Sequence, residues 1–186
     1  MPRKRGIFLA VFAVVIGAIS PMSFTGVAAG DSCSFPTTST DATGTEVTIN
    51  SEPERIVSLN PSAAQTMWEI GAEDKVIGLS DYAMYLDGAD NRTDIWAGTH
   101  VNVEEVVNLT PDLVLAPNVI PNSTVEQLRN AGLTVHKFET AISTGFIYDK
   151  TRLMGELVGE CDGANDRAEQ LQEEVKTIRE AAPGVD

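Results

Sequence analysis

From Arg55 onward the chain repeats one unit: a short apolar run, a loop, then a capped helical stretch. A parallel sheet covered on both faces accommodates this alternation, because each crossover helix lies against the strands it joins. The runs fall at residues 55–59, 75–79, 112–116 and 133–138, which predicts an α/β fold with a four-stranded parallel sheet flanked by helices. Asn60-Pro61 breaks the first run. Ser62 with Gln65 has capping-box spacing and opens a helix with Ala63, Met67 and Ile70 on one face and Gly71 at its left-handed end. Asn102 with Glu105 caps a short helix carrying Val103, Val106 and Val107, and Ser123 with Glu126 opens another that runs to Gly132. Two helices without an intervening strand follow, over about 146–158 and from about Asp166. The second has a thin stripe of Ala168, Leu171, Val175, Ile178 and Ala182 before Pro183-Gly184, the pattern of a helix lying across a surface.

The first residues read as an address. Arg3, Lys4 and Arg5 precede an uncharged apolar run over 6–19, and Val27-Ala28-Ala29 offers small residues for cleavage. Residues 1–29 are therefore expected to be a signal peptide cut after Ala29; an uncleaved anchor is the alternative. Either way the remainder is exported, to the cell surface or periplasm. No lipoprotein-type sequence precedes Cys33. Residues 30–45 form a Ser/Thr-rich arm, 46–160 an α/β lobe and 161–186 the long helix. Within this plan Thr37–Thr40 and Glu46–Ile49 suit a hairpin, with a flexible stalk as the competing reading.

All 27 acidic residues lie beyond residue 29, and the formal net charge of the 186-residue chain is −14. Such a surface repels nucleic acid and anionic lipid, which excludes both as partners. Acid-rich, lysine-poor domains resemble proteins of salt-loving microbes, whose dense carboxylates hold water. Cys33 and Cys161 are the only cysteines, and export places them where disulfides persist, so they are expected to pair. With no Cys-x-x-Cys and only His100 and His136, no structural metal is expected.

Ligands of open parallel sheets bind beyond the carboxyl ends of the strands. That rule selects the loops at Asn60-Pro61-Ser62, Ser80 to Tyr85, Pro117-Asn118 and Glu139-Thr140. Asn60, Ser62, Tyr82, Tyr85, Trp96 and Asn118 are the candidate ligand contacts: aromatic faces with a few amide and hydroxyl groups suit a bulky, flat ligand held without covalent chemistry. Each has a plainer reading. Tyr82, Tyr85 and Trp96 can pin the long loop, Trp68 reads as core, His100 as a hydrogen-bonded surface histidine and His136 as structural. Asp87, Asp90 and Asp94 match no calcium loop. Asn91, Asn108 and Asn122 head glycosylation sequons. No nucleophile elbow, dinucleotide fingerprint or phosphate loop is present, so neither an enzyme nor a bound cofactor is expected; a hydrolase and a surface interaction or sensor module remain as alternatives.

Two motifs carry a resemblance. Residues 53–62, Pro-Glu-Arg-Ile-Val-Ser-Leu-Asn-Pro-Ser, resemble the opening strand and ligand loop of the helical-backbone substrate-binding proteins of ABC importers. Residues 102–107, leading to Pro111-Asp112-Leu113-Val114-Leu115-Ala116, are similar to a second hallmark of that group. The similarity covers about residues 40–182 and is greatest to the vitamin B12-binding branch, with ferric siderophore and haem binders beside it. The resemblance implies two lobes joined by one long helix, here the segment from Asp166, with the ligand between them. It also implies corrin contact through Tyr82 or Tyr85, and a salt bridge from Glu104 to the membrane permease. The branch's tryptophan before the short helix has no in-register partner: Gly98 falls nearer that position and Trp96 lies just upstream. The family's second lobe is absent from these 186 residues.

Overall fold

The structure, a computed structural model, describes residues 33–97 and 100–182. The expected signal peptide, Gly98 and the Pro183-Gly184 stop lie outside the described residues.

The described part opens with the expected hairpin of β1 (Thr37–Thr40) and β2 (Glu46–Ile49), paired antiparallel over four residues. The lobe proper follows as β3 (Ile56–Ser58), α1 (Pro61–Glu69), β4 (Val76–Leu79), β5 (Thr93–Asp94), β6 (Trp96–Ala97), β7 (His100–Val101), α2 (Val103–Asn108), β8 (Leu113–Ala116), α3 (Asn122–Asn130), β9 (Val135–Lys137), α4 (Thr144–Val158) and α5 (Cys161–Ala181). The sheet order is β5-β4-β3-β8-β9, with every pairing parallel. The four expected strands form its body, and the two-residue β5 extends one edge from within the long loop.

Both faces are buried, and the strands alternate between two cores. Ile56, Leu113, Leu115 and Phe138 meet Ala63, Met67, Met154 and Leu157 on the side of α1, α4 and α5. Val57, Val114, Ala116 and Val135 meet Val106, Val125 and Leu128 on the side of α2 and α3.

Three helix starts differ from the sequence reading. Asn60, not Ser62, caps α1: its side chain accepts from Ser62 N at 2.7 Å, and Pro61 occupies the first turn, where its missing N–H costs nothing. α3 begins at Asn122 after Pro121 with no side-chain cap, so Ser123 and Glu126 form no capping box there. α5 begins at Cys161, earlier than Asp166, because Gly163 and Ala164 let it approach α1 and α4 closely. The Asn102 cap of α2 is as expected, accepting from Glu105 N at 3.2 Å.

The hairpin turn closes the β9 edge of the sheet. Ala42 N donates to Lys137 O at 2.8 Å, and the Asp41 carboxylate accepts from Lys137 N and Arg129. An edge that would otherwise offer unpaired backbone is thereby covered. Just before the hairpin, Cys33 is disulfide-bonded to Cys161, with Cα atoms 5.4 Å apart, as the sequence predicts.

Candidate functional site

The sheet's winding reverses between β3 and β8, since β4 follows β3 on one side while β8 and β9 continue on the other. A crevice opens at such a switch point beyond the carboxyl ends of the strands. The loops after β3 and β8 flank it, and they carry Asn60, Ser62 and Asn118. Because all five strands are parallel, the loops after β4 and β9 share the same edge.

Hydrogen bonds knit these loops together. Asn118 Nδ2 donates to Thr140 Oγ1 at 3.1 Å, joining the β8 and β9 loops. The Tyr85 hydroxyl donates to Gln65 Oε1 at 3.1 Å, joining the β4 loop to α1. Asn60 spends its side-chain oxygen on the α1 cap and Ser62 lies exposed one residue into the helix. The structure therefore brings Asn60, Ser62, Tyr82, Tyr85 and Asn118 to one edge.

Tyr82 and Tyr85 are 63% and 64% exposed, high values for large aromatic side chains. Trp96 sits behind them, half-buried, with its ring edge-on to Tyr82 at 6.2 Å between centroids. Its indole Nε1 is buried and has no partner among the described residues. Met84, Val119 and Ile142 are also exposed, on the loops after β4, β8 and β9. Sequence reasoning missed these three: single apolar residues in loops carry no periodicity, and only their shared edge makes them a surface. The result is an apolar, aromatic ledge with amides at its margin, a form suited to laying down a broad flat molecule.

Trp68, expected in the core, is half-buried instead; its indole donates to Asp87 O at 2.8 Å while its ring packs on the core. Arg92 lies over that ring and donates to Val76 O, Gly88 O and Glu73 O, so this pair pins the long loop below the tyrosines. Asp87, Asp90 and Asp94 are exposed, and Asp94 accepts from Trp96 N. Among the described residues no cluster of histidine, cysteine or acidic side chains can hold a metal. Glu104 is exposed in the first turn of α2. Asn91, Asn108 and Asn122 are exposed, though the Asn122 side-chain oxygen accepts from Lys137 Nζ at 2.6 Å. Among the described residues no helix is long and apolar enough to cross a membrane.

The sequence profile described as periplasmic binding protein matches residues 56–186. The chain belongs to that family. Periplasmic binding proteins are binding proteins and not enzymes, in line with the non-covalent ledge. A cobalamin-binding protein of Halobacterium salinarum is 44% identical over 195 residues, covering all of this chain and 53% of that protein. An uncharacterized ABC transporter substrate-binding lipoprotein of Bacillus subtilis is 36% identical, covering 77% of this chain and 45% of its own length. Among solved structures, heme binding protein HmuT superposes with a TM-score of 0.70 at 25% identity, covering 94% of this chain and 56% of that one. The chain spans about half the length of the curated relatives it matches. Its fold is one α/β lobe with a long C-terminal helix, and its structural neighbours are two-lobe binding proteins.

Proposed function

We propose that this lobe captures a corrinoid outside the cytoplasm, as the substrate-binding part of an ABC importer, and presents it to a membrane permease. The carrying observation is the exposed Tyr82–Tyr85 pair on the switch-point edge, with Met84, Val119 and Ile142 extending the apolar surface. A corrin is broad, flat and rimmed by amides, so rings can lie on its face while Asn60 and Asn118 meet its rim. The 44% identity to a cobalamin-binding protein supports the same ligand class. Permease docking through Glu104 rests on its exposure in the first turn of α2, where the helix dipole also favours a carboxylate.

A second reading, haem, draws on the fold shared with a heme binding protein and on two exposed phenols able to meet ferric iron. Titration separates the two. Cobalamin should quench tryptophan fluorescence saturably, since Trp96 touches Tyr82. A saturable response to haemin with none to cobalamin reverses the order, and silence toward both rejects the ledge as a ligand site.

A further inference from the structure

Asn60 and Tyr85 give the ledge opposite hydrogen-bond polarities, and neighbouring groups fix both. Asn60 Oδ1 is taken up by Ser62 N, so the rest of that amide is left to donate. A tyrosine hydroxyl can donate or accept, and a relay along α1 settles which. Arg167 of α5 donates through Nε to Glu69 Oε2 at 2.7 Å and through Nη1 to Glu174 Oε1 at 3.1 Å. Glu69, held in that ion pair, is a carboxylate and only accepts. Its Oε1 lies 2.8 Å from Nε2 of Gln65, one turn back along the helix. Only an amide N–H can meet a carboxylate, so the Gln65 amide cannot turn over and its Oε1 faces Tyr85. The Tyr85 hydroxyl, 3.1 Å from that oxygen, spends its one proton there. What the phenol has left for a ligand is lone pairs.

We propose that Gln65 is a specificity-determining residue of the ledge. By holding Tyr85 as an acceptor toward the ligand, it selects macrocycles rimmed by carboxamides over those rimmed by carboxylates. The inference rests on the ledge being the ligand site. Amides around a rim satisfy both polarities, since their C=O groups can take the Asn60 N–H and their own N–H groups can meet the Tyr85 oxygen. A carboxylate has acceptors only. It can use Asn60, but it sets its lone pairs against those of Tyr85, and a ligand lying on the ledge excludes the water that would relieve them.

Dicyanocobinamide and dicyanocobyrinic acid are the probes, because they share the corrin and its axial ligands and differ in amide against carboxylate at the rim. The full chain carries a formal net charge of −14, which by itself repels the acid. Fluorescence titration in about 1 M salt, where screening acts beyond about 3 Å, sets that repulsion aside. The wild type should bind the amide at least about tenfold more tightly. Gln65→Met keeps the side-chain length and charge and removes the acceptor, freeing the phenol to donate. The preference should then fall by about fivefold, through tighter binding of the acid. In a Tyr85→Phe background the same substitution should leave the preference where it is. Gln65 is exposed, so its replacement disturbs no core packing. Equal binding of the two probes by the wild type, a preference unmoved by Gln65→Met, or an equal fall in the Tyr85→Phe background would each overturn the proposal and leave the ledge as the site. Silence toward both corrinoids would reject the corrinoid reading, and the selectivity with it.

Discussion

The Asp41 carboxylate and the Arg129 guanidinium meet at 2.5 Å although 88 residues separate them. Asp41 stands in the turn between β1 and β2, and Arg129 in the last turn of α3. The carboxylate also accepts from Thr43 N, the Thr43 hydroxyl, Thr45 N and Lys137 N. One buried side chain thus ties the N-terminal hairpin to both the edge strand and the helix before it. Asp41→Ala should destabilise the lobe by about 3 kcal/mol, because it leaves Arg129 and three backbone donors without their acceptor. Burial acts to raise the Asp41 pKa, but hydrogen bonds from Thr43, Lys137 and Arg129 outweigh it and hold the value at about 2. The folded value lies below the unfolded 3.8, so this stabilisation is full above 3.8 and lost as pH falls toward 2. Urea denaturation of wild type and variant across pH 2–5 checks both statements.

His136 gives acid sensitivity at a higher pH. Burial lowers its pKa from 6.5 to about 4, with Asp41 opposing and Arg129 assisting. Between those values the unfolded chain binds the proton and the folded one does not, so stability falls as pH drops from 6.5 to 4. The shift corresponds to roughly 3 kcal/mol. His136→Phe, which keeps the ring and removes the titration, should flatten the stability profile in that window. A wild-type profile already flat from pH 6.5 to 4 would show that the imidazole is protonated in the fold.

Two glycines set how closely α5 lies. A Cβ at Gly163 would run into the Ile70 backbone carbonyl at the end of α1, and one at Gly155 would strike Ala164 and come within 2.7 Å of Glu160 O. Backbone cannot step aside as a flexible side chain can. Gly163→Ala and Gly155→Ala should each cost about 2–3 kcal/mol, measurable as a lowered melting temperature, despite alanine's better helix propensity. Gly145→Ala, which has only Ser143 Oγ nearby at 3.9 Å, should be neutral or mildly stabilising.

These elements also show what the sequence reveals. The body strands and their buried faces follow from apolar runs such as 113–116, whose residues alternate between the two cores. Asn60-Pro61 was legible as a cap followed by a first-turn proline, yet Ser62 with Gln65 matched a commoner pattern; the proline decides, because Asn60 must then be extended. The exact start of α5 was not legible, since the close approach of Gly163 to Ile70 appears only in three dimensions. The ledge was half legible: the loop rule finds Tyr82, Tyr85 and Asn118, whereas Met84, Val119 and Ile142 become one surface only in three dimensions. Asp41 had no signal at all, since its partners come from distant elements.

Tyr85 and Tyr82 should behave differently on substitution. Tyr85→Phe removes one exposed hydrogen bond to Gln65 and should leave both stability and cobalamin affinity within about threefold of wild type. Tyr82→Ala removes a stacking face and uncovers Trp96, and should weaken cobalamin by about tenfold. Equal affinities for wild type and Tyr82→Ala in fluorescence titration would place the ligand elsewhere.

The Cys33–Cys161 bond acts at the end of the lobe away from the ledge. Cys161 is the first residue of α5, directly beyond the α4 terminus, where Val158 O accepts from Lys75 Nζ at 2.8 Å. Lys75 immediately precedes β4, so this corner lies at the amino ends of the strands, while α5 climbs about 30 Å and reaches the opposite edge, where Arg179 meets Thr144. The bond closes a loop spanning 128 residues, and in the chain-entropy model such closure stabilises by about 4–5 kcal/mol. Reduction, or Cys33→Ser with Cys161→Ser, should therefore lower the denaturation midpoint strongly. Cobalamin binding by the fraction that stays folded should not change, because none of the ledge residues touches this corner. A linked peptide pair in a non-reducing tryptic digest verifies the bond in the purified protein. Loss of ligand affinity in step with reduction, at temperatures where the lobe remains folded, would instead mean that the bond governs the ligand edge.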